Sequence, residues 1–284
     1  MAGTLFVVAT PIGNLEDISP RAIRVLREVA VIAAEDTRRT GHLLQRFGLT
    51  TRTISFHEHS EKGKTSDLLA RLVAGESVAL VSDAGTPTVS DPGEHLIREC
   101  GAAGIRIEPV PGPSAVVAAV SIAGFGSDGF VFLGFAPRKG PERRAWMDRL
   151  ASAGALVSTA VFYEAPHRIA ATLGDLHARL GSVEVVLCRE LTKAHEEIIR
   201  GRLGLLPTVV ERGEFTIVVN IGQITEQKKV AEAVSGDTLA SEFGVMTENE
   251  GLTRRAAISS LARRHGMAAR AVYALLEEAK KSGV

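Results

Sequence analysis

The chain has 284 residues, and its 33 lysines and arginines balance 33 aspartates and glutamates, so the formal net charge is zero. This length predicts about two domains, and a hydrophobic content of 45% with 23% charged residues is typical of a folded core. The neutral balance excludes a basic footprint over the whole chain, so any nucleic-acid contact must be local. Two cysteines without paired spacing, Cys100 and Cys188, argue against a disulfide framework or a zinc site.

The N-terminal residues lack the basic segment and long apolar core of a signal peptide. Residues 5–9 are instead typical of a buried first strand. No apolar run is long enough to span a membrane. We therefore expect a soluble cytoplasmic protein with no membrane partner.

Strands and helices alternate along the first half of the chain. Ser19 suits the N-cap and Pro20 the first position of a helix, which predicts that a helix begins there. The other elements predicted for this half are strands over 5–9, 31–34, 52–56 and 77–81 and helices over 40–47 and 65–73. Such alternation indicates βαβ units and a mostly parallel sheet.

Glycine density rises around residues 125–129, which predicts a boundary between an N-terminal α/β domain (1–122) and a second α/β domain (123–224). The second domain is predicted to contain strands over 130–135, 156–163, 183–188 and 214–220 and helices over 143–151 and 166–180.

The remaining segment, 225–284, changes in charge along its length. Residues 225–250 are polar and acidic and are interpreted as a linker. Residues 251–284 carry seven basic residues against two acidic ones and predict helices over 253–264 and 268–280, with a break at His265-Gly266. This is the outline of a helix-turn-helix, which either contacts nucleic acid or packs on the body as a solvated hairpin.

Two loops at predicted strand ends carry the strongest functional signal. Val78–Gly93 runs from an apolar strand into a loop with Asp83 and Asp91, and a second loop of this kind covers 111–115. Open α/β sheets bind ligands at such positions, while the absence of the common glycine-rich nucleotide motifs argues against NAD or ATP. A carboxylate beside exposed amides suits a zwitterion such as S-adenosylmethionine. Alternatively, both aspartates only cap helices and form turns.

Seven sequence blocks occur in an order that resembles the ribosomal RNA small-subunit methyltransferase I family, of the tetrapyrrole methylase superfamily. The blocks are residues 10–17, 34–38, 57–59, 82–87, 111–115, 163–168 and 189–193. The resemblance covers about residues 4–222, and the tail is similar to that family's C-terminal helical domain. It implies two α/β domains with S-adenosylmethionine between them, a homodimer, and 2′-O-methylation of a cytidine in the decoding region of small-subunit ribosomal RNA.

The resemblance also implies which residues bind the cofactor. From the first domain these are Pro11, Gly13, Asp83, Ala84, Gly85, Ser114 and Ala115, and from the second Tyr163, Leu191 and Thr216. Where the tetrapyrrole enzymes carry Gly-Asp-Pro, this chain has Ser82-Asp83-Ala84, which argues against a corrinoid substrate.

Methyl transfer from a sulfonium to a ribose hydroxyl predicts carboxylates inside the site and basic residues at its rim, where they meet RNA phosphates. Glu35 and Asp36 are candidates to orient the ribose, and Arg38 to hold a phosphate. Alternatively, Asp36 caps the next helix and pairs with Arg39.

Other candidates lie at further strand ends. His57 and His59 are expected on one face of a strand as RNA contacts or a base, and no ligand set is grouped for a metal. Glu190 and Lys193 are candidate substrate-side residues, or else an interdomain ion pair. The basic cluster Arg138, Lys139, Arg143 and Arg144 fits either RNA or a solvated helix face.

The expected partner is small-subunit ribosomal RNA or the assembled small subunit. Two alternatives stay open at this point: a methyltransferase for a small tetrapyrrole, and a non-enzymatic RNA-binding ribosome-assembly factor. The basic tail and the Ser-Asp-Ala departure argue against the first, and the two loops have no explanation under the second.

Overall fold

A computed structural model describes residues 2–57, 60–126, 129–223 and 236–281. The first sheet contains β1 (Thr4–Val8), β2 (Val31–Ala34), β3 (Thr53–Ser55), β4 (Val78–Val81) and β5 (Arg106–Val110). Its order is β3-β2-β4-β1-β5 with every neighbouring pair parallel, which confirms the predicted parallel sheet.

Helices cover both faces of this sheet. They are α1 (Pro20–Glu28), α2 (Thr37–Arg46), α3 (Glu61–Val73) and α4 (Glu94–Ala102). The residues of β2 and β4 are all buried, because one face packs under α1 and α2 and the other under α3 and α4. The loops that follow β1, β2 and β4 therefore emerge together at the carboxyl edge of the sheet.

The second sheet contains β6 (Phe130–Phe135), β7 (Thr159–Glu164), β8 (Glu184–Arg189), β9 (Glu197–Arg202) and β10 (Phe215–Asn220). Its order is β6-β7-β10-β8-β9, and only β6 and β7 are parallel. The helices α6 (Gly140–Ala153) and α7 (Ile169–Leu180) follow β6 and β7, with a short 3-10 turn at Pro166–Arg168 before α7. Strand β9 is half-exposed and charged at both ends, so its sequence gives little strand signal.

Helix α5 (Ala115–Ala123) connects the two sheets. Its buried residues Val116, Ala119 and Ala123 pack against Val161 and other side chains of the second sheet. The helix thus lies within the predicted N-terminal domain but shares a core with the second, and the domain bounds 1–122 and 123–224 stay a prediction.

The C-terminal segment forms α8 (Gly236–Gly244), a π-helical turn (Val245–Asn249), α9 (Arg254–Arg264) and α10 (Ala269–Lys281). Both predicted basic helices are confirmed. The linker prediction is wrong over 236–249, because Leu239 and Met246 are buried in a core with residues of α9 and α10. The rest of the predicted linker, 225–235, lies outside the described residues.

Two predicted bounds move in ways that matter for the site. Helix α2 begins at Thr37 rather than at residue 40, because the Asp36 carboxylate accepts a hydrogen bond from the Arg38 amide and caps it. Strand β3 ends at Ser55, so His57 lies in the following loop and not on a strand, which corrects that prediction. Within the described ranges, every helix is too short or too polar to cross a membrane.

Candidate functional site

A cavity of about 410 Å³ lies between the carboxyl edge of the first sheet and the second sheet. Its lining includes Ile12, Glu35, Arg39, residues 83–86, Val89, Ser90, Asp91, Ser114, Ala115, Phe135, residues 163–166, Leu191, Lys193 and residues 214–216. Both halves of the chain therefore build one site, at the position where parallel sheets bind ligands. Its volume falls within the range of about 300–1,000 Å³ that is usual for small-molecule sites.

The loop after β4 is fixed to the turn after β1. The Thr10 amide donates to the Gly85 carbonyl at 2.8 Å, and the Gly85 amide donates back to Thr10 at 3.0 Å. Gly85 has a φ of +78°, which glycine adopts without strain. This bridge presents residues 83–86 to the cavity as a rigid wall.

Carboxylates of two loops are joined by a reciprocal pair of hydrogen bonds. The Asp83 amide donates to Glu35 Oε2 at 3.2 Å, and the Asp36 amide donates to Asp83 Oδ1 at 2.9 Å. Arg39 Nη1 lies 3.5 Å from Asp83 Oδ2. Burial raises the pKa of Glu35. The hydrogen bond from the Asp83 amide lowers this pKa, and the negative charge of Asp83 raises it again. The loops after β2 and β4 thus hold acidic oxygens side by side in the cavity.

Asp91 adds a third carboxylate to the same wall. Burial first, and then the charges of Glu35 and Asp83, raise its pKa to about 7, against a hydrogen bond from Ser82 that lowers it. The neighbouring Ser90 has a φ of +70° and lies close to Gly134 of β6, so the loop reaches across to the second sheet. An acidic wall of this kind favours a cationic ligand.

The opposite wall is aromatic. The Tyr163 ring lies 5.1 Å from that of Phe132 and 5.2 Å from that of Phe135, measured between centroids. Burial, with smaller contributions from Asp91 and Glu214, raises the pKa of the Tyr163 hydroxyl to about 12. Tyr163 therefore stays neutral and offers an apolar face and one hydroxyl to the cavity.

Glu164 ends β7 and is buried beneath the cavity wall. Its carboxylate pairs with Arg168 and accepts hydrogen bonds from the Ala165 amide at 2.7 Å and from Thr172 Oγ1 at 2.5 Å. Because these partners surround the carboxylate, Glu164 fixes the wall rather than binding a ligand.

Glu190, Lys193 and Glu214, called the seam below, form an ion-paired cluster beside the cavity. All three belong to the second domain, so the expectation of an interdomain ion pair is wrong. Lys193 Nζ lies 2.9 Å from both Glu190 Oε1 and Glu214 Oε2, and Glu190 Oε1 also accepts from the Glu214 amide. Burial works against ionisation of Glu190 and Lys193, but these contacts outweigh it, lowering the pKa of Glu190 and raising that of Lys193. A Cβ at Gly13 would lie 2.5 Å from Lys193 Cγ, so only glycine allows this approach.

The structure brings ten of the predicted site residues to the cavity: Glu35, Asp83, Ala84, Gly85, Ser114, Ala115, Tyr163, Leu191, Lys193 and Thr216. Ser114 also caps α5 by accepting from the Val117 amide. Three more predicted residues lie beside it: Pro11 is buried in the turn after β1, Gly13 packs on the seam, and Glu190 is ion-paired with Lys193.

Three predicted catalytic residues, Asp36, Arg38 and His57, do not line the cavity. Asp36 caps α2 and pairs with Arg38, not with Arg39 as expected, and the Arg38 hydrogen bonds lower its pKa to about 2. Arg38 is exposed, and so is His57. His59 lies outside the described residues.

Sequence reasoning gave no site role to the charged or aromatic lining residues Arg39, Phe135 and Glu214, and it noted Asp91 in its loop without assigning it to the site. Asp91 belongs to the same loop as Asp83, so its position in the motif was a usable signal. Arg39 reaches the cavity because α2 brings it next to Asp83, and Phe135 and Glu214 reach it because the two sheets face each other, which no local pattern carries. Among the described residues, the histidines, cysteines and carboxylates form no group that suits a metal ion.

Residues 4–207 match the family model of the tetrapyrrole (corrin/porphyrin) methylases. A ribosomal RNA small subunit methyltransferase I from Synechocystis is 43% identical over 99% of this chain and its own full length. The protein of that name from Pseudomonas aeruginosa is 54% identical over 77% of this chain and 79% of its own. The chain belongs to the ribosomal RNA small subunit methyltransferase I family of the tetrapyrrole methylases.

Solved structures agree on the fold. A diphthine synthase superposes with a TM-score of 0.61 at 16% identity, covering 77% of this chain and 90% of its own. A uroporphyrin-III C-methyltransferase from Thermus thermophilus, complexed with S-adenosyl homocysteine, gives 0.55 at 17% identity over 78% of this chain and all of its own. The predicted family, fold class and methyltransferase activity are confirmed.

Proposed function

We propose that this chain transfers a methyl group from S-adenosylmethionine to the 2′-hydroxyl of a cytidine in the decoding region of small-subunit ribosomal RNA. The observation that carries the proposal is the cavity between the two sheets, with an acidic wall on one side and an aromatic wall on the other. The relatives' names support the RNA substrate.

The cavity has the chemistry that this donor requires. Asp83 and Asp91 would hold the ammonium and the sulfonium, since carboxylates favour nearby cations. The apolar side chains Ile12 and Leu191 and the Tyr163 ring would hold the adenosine. When bound, the cofactor supplies an activated methyl group on sulfur.

The remaining roles belong to the chain's own residues. Glu35 lies in the cavity with a raised pKa, and we assign it to orient the ribose hydroxyl and to hold its proton. Arg38 and His57 are exposed in the segments that follow β2 and β3, at the carboxyl edge of the first sheet, and would contact the RNA backbone. Glu190 and Glu214 fix the Lys193 side chain, whose Cγ packs against Gly13 of the first domain, so we assign Glu190 and Lys193 to position the two domains for an in-line transfer.

Sequence identity to known proteins favours an RNA substrate over a tetrapyrrole. The ribosomal RNA methyltransferases share 43–54% of their residues with this chain, against 17% for the uroporphyrin methyltransferase bound to S-adenosyl homocysteine. The chain acts in the cytoplasm on the RNA of the small subunit, as a homodimer. Light scattering checks the dimer, because the monomer has a mass of 30.1 kDa.

Labelled S-adenosylmethionine tests the function. Small subunits from cells that lack the enzyme are incubated with the chain, and the RNA is then hydrolysed in alkali. A 2′-O-methyl group blocks alkaline cleavage at one cytidine, so the label is expected in one resistant dinucleotide. Label on protein only, or label in RNA that alkali releases as mononucleotides, would overturn the proposal.

A further inference from the structure

A second concave surface lies on the second domain, outside the cleft. This basic groove, of about 660 Å³, runs between α6 and α7 and is lined by Arg138, Lys139, Gly140, Arg143, Arg144, Met147, Asp148, Arg168, Ala171, Thr172, Asp175, Ala178 and Arg179. Six of these residues are basic and two are acidic, on a chain without net charge. The groove is therefore a local positive site, which the overall composition conceals.

Three of the six basic residues are held in place by ion pairs within the domain. Arg143 binds Asp175 at 2.7 Å, Thr172 Oγ1 at 3.0 Å and the Pro137 carbonyl at 2.8 Å. Arg168 pairs with the buried Glu164, and Arg179 pairs with Asp148 at 2.8 Å. These guanidinium groups fix the floor of the groove and have few donors left for a ligand.

The other three basic residues of the groove are not held by ion pairs with described residues. In the part of the chain that the structure describes, Arg138, Lys139 and Arg144 make no ion pair within 4.0 Å, and all three are exposed. They lie at the start of α6, where Lys139 is the N-cap residue. Cations that are unpaired and grouped along a concavity suit an anionic polymer better than isolated surface charges do.

The basic groove adjoins the catalytic cleft. Phe135 lines the cavity, and Arg138 follows three residues later, a separation of at most about 11 Å along the chain. On the other side, Pro166 lines the cavity and Arg168 lines the groove. When the target nucleotide of an RNA lies in the cleft, the phosphates next to it are therefore close to the groove.

We propose that the basic groove binds the phosphate backbone of the substrate RNA next to the methylated nucleotide, through Arg138, Lys139 and Arg144. The proposal rests on the proposed function for the identity of the RNA. It makes the groove a sequence-independent contact that sets affinity and register, while the cleft selects the nucleotide.

The test uses the full chain and a triple variant, Arg138→Ala, Lys139→Ala and Arg144→Ala. The matched control removes the same charge from exposed arginines of the first domain, away from the groove: Arg27→Ala, Arg46→Ala and Arg52→Ala. Binding is measured to transcribed small-subunit RNA and to small subunits from cells that lack the enzyme, at several salt concentrations.

The groove variant should bind both probes about 10- to 100-fold more weakly than wild type, and the slope of log affinity against log salt should fall by about 2–3. Its affinity for S-adenosylmethionine, measured by calorimetry, should match that of wild type, which also shows that it is folded. Equal RNA affinity and slope in the groove variant, or an equal loss in the control, would overturn the proposal. A wild-type chain that binds RNA but transfers no methyl would instead refute the proposed function alone.

Discussion

Replacing Asp91 by asparagine should stabilise the protein without ligand and weaken its binding of the methyl donor. Asp91 is half-buried and lies beside Glu35 and Asp83, and its pKa is raised from 3.8 to about 7. The folded state therefore holds the Asp91 proton more tightly than the unfolded state does. Ionisation of this carboxyl costs stability, because it leaves a charge that is both desolvated and repelled.

The magnitude follows from the two pKa values. A shift from 3.8 to about 7 corresponds to about 4 kcal/mol between the charge states, and partial exposure to solvent reduces this to about 2 kcal/mol. The cost is absent below about pH 4, grows between pH 4 and pH 7, and is complete above pH 7. The stability advantage of Asp91→Asn should follow the same course.

Denaturant unfolding at pH 5 and at pH 8, without ligand, measures this advantage. We expect the stability advantage of the variant to be larger at pH 8 than at pH 5. Calorimetry at pH 8 should show that the variant binds the methyl donor about tenfold more weakly, because one carboxylate near a cation is worth about 1–2 kcal/mol. Wild-type donor affinity should rise with pH between 6 and 8, and that of the variant should not. An advantage independent of pH, or unchanged donor affinity, would refute the reasoning.

Three further substitutions test the seam, the α2 cap and the buried carboxylate. Gly13→Ala should cost about 1–3 kcal/mol of unfolding free energy through its clash with the seam, whereas Gly41→Ala, with nothing within 4 Å, should stabilise by about 0.5–1 kcal/mol. Asp36→Ala should cost about 1 kcal/mol by removing the cap of α2, and calorimetry should find donor affinity unchanged; a large loss of affinity would restore Asp36 to the site. Glu164→Ala should cost about 3–5 kcal/mol in denaturant unfolding, because Arg168 loses its buried partner, and a loss under 1 kcal/mol would contradict that role.

Local patterns predicted much of the fold because each carries its own physical cause. Ser19-Pro20 begins a helix by capping, and the apolar run at 78–81 is buried on both faces of a parallel sheet. The strand β9 was missed because its alternation is weak and it lies at a sheet edge. The acidic composition of 225–250 concealed Leu239 and Met246, whose burial depends on contacts with α9 and α10.

The candidate site was predicted unevenly for a similar reason. Asp83, Gly85 and Ser114 stand in loops whose sequences indicate both turn and ligand, and they line the cavity. Phe135 and Glu214 reach it only because the second sheet faces the first, and neither is near a motif. Asp36 is the opposite case: it belongs to a sequence block of the family, but its carboxylate caps α2 and does not line the cavity.

Calorimetric titration of S-adenosylmethionine tests the central claim most directly, with wild type, Asp83→Asn and the exposed control Asp67→Asn. Asparagine at position 83 keeps an oxygen for the Asp36 amide but removes the charge, so the loop should keep its shape. The account predicts one site per chain in wild type and control, and affinity at least about tenfold lower in Asp83→Asn. Absence of binding to wild type, or equal affinity in all three proteins, would contradict it.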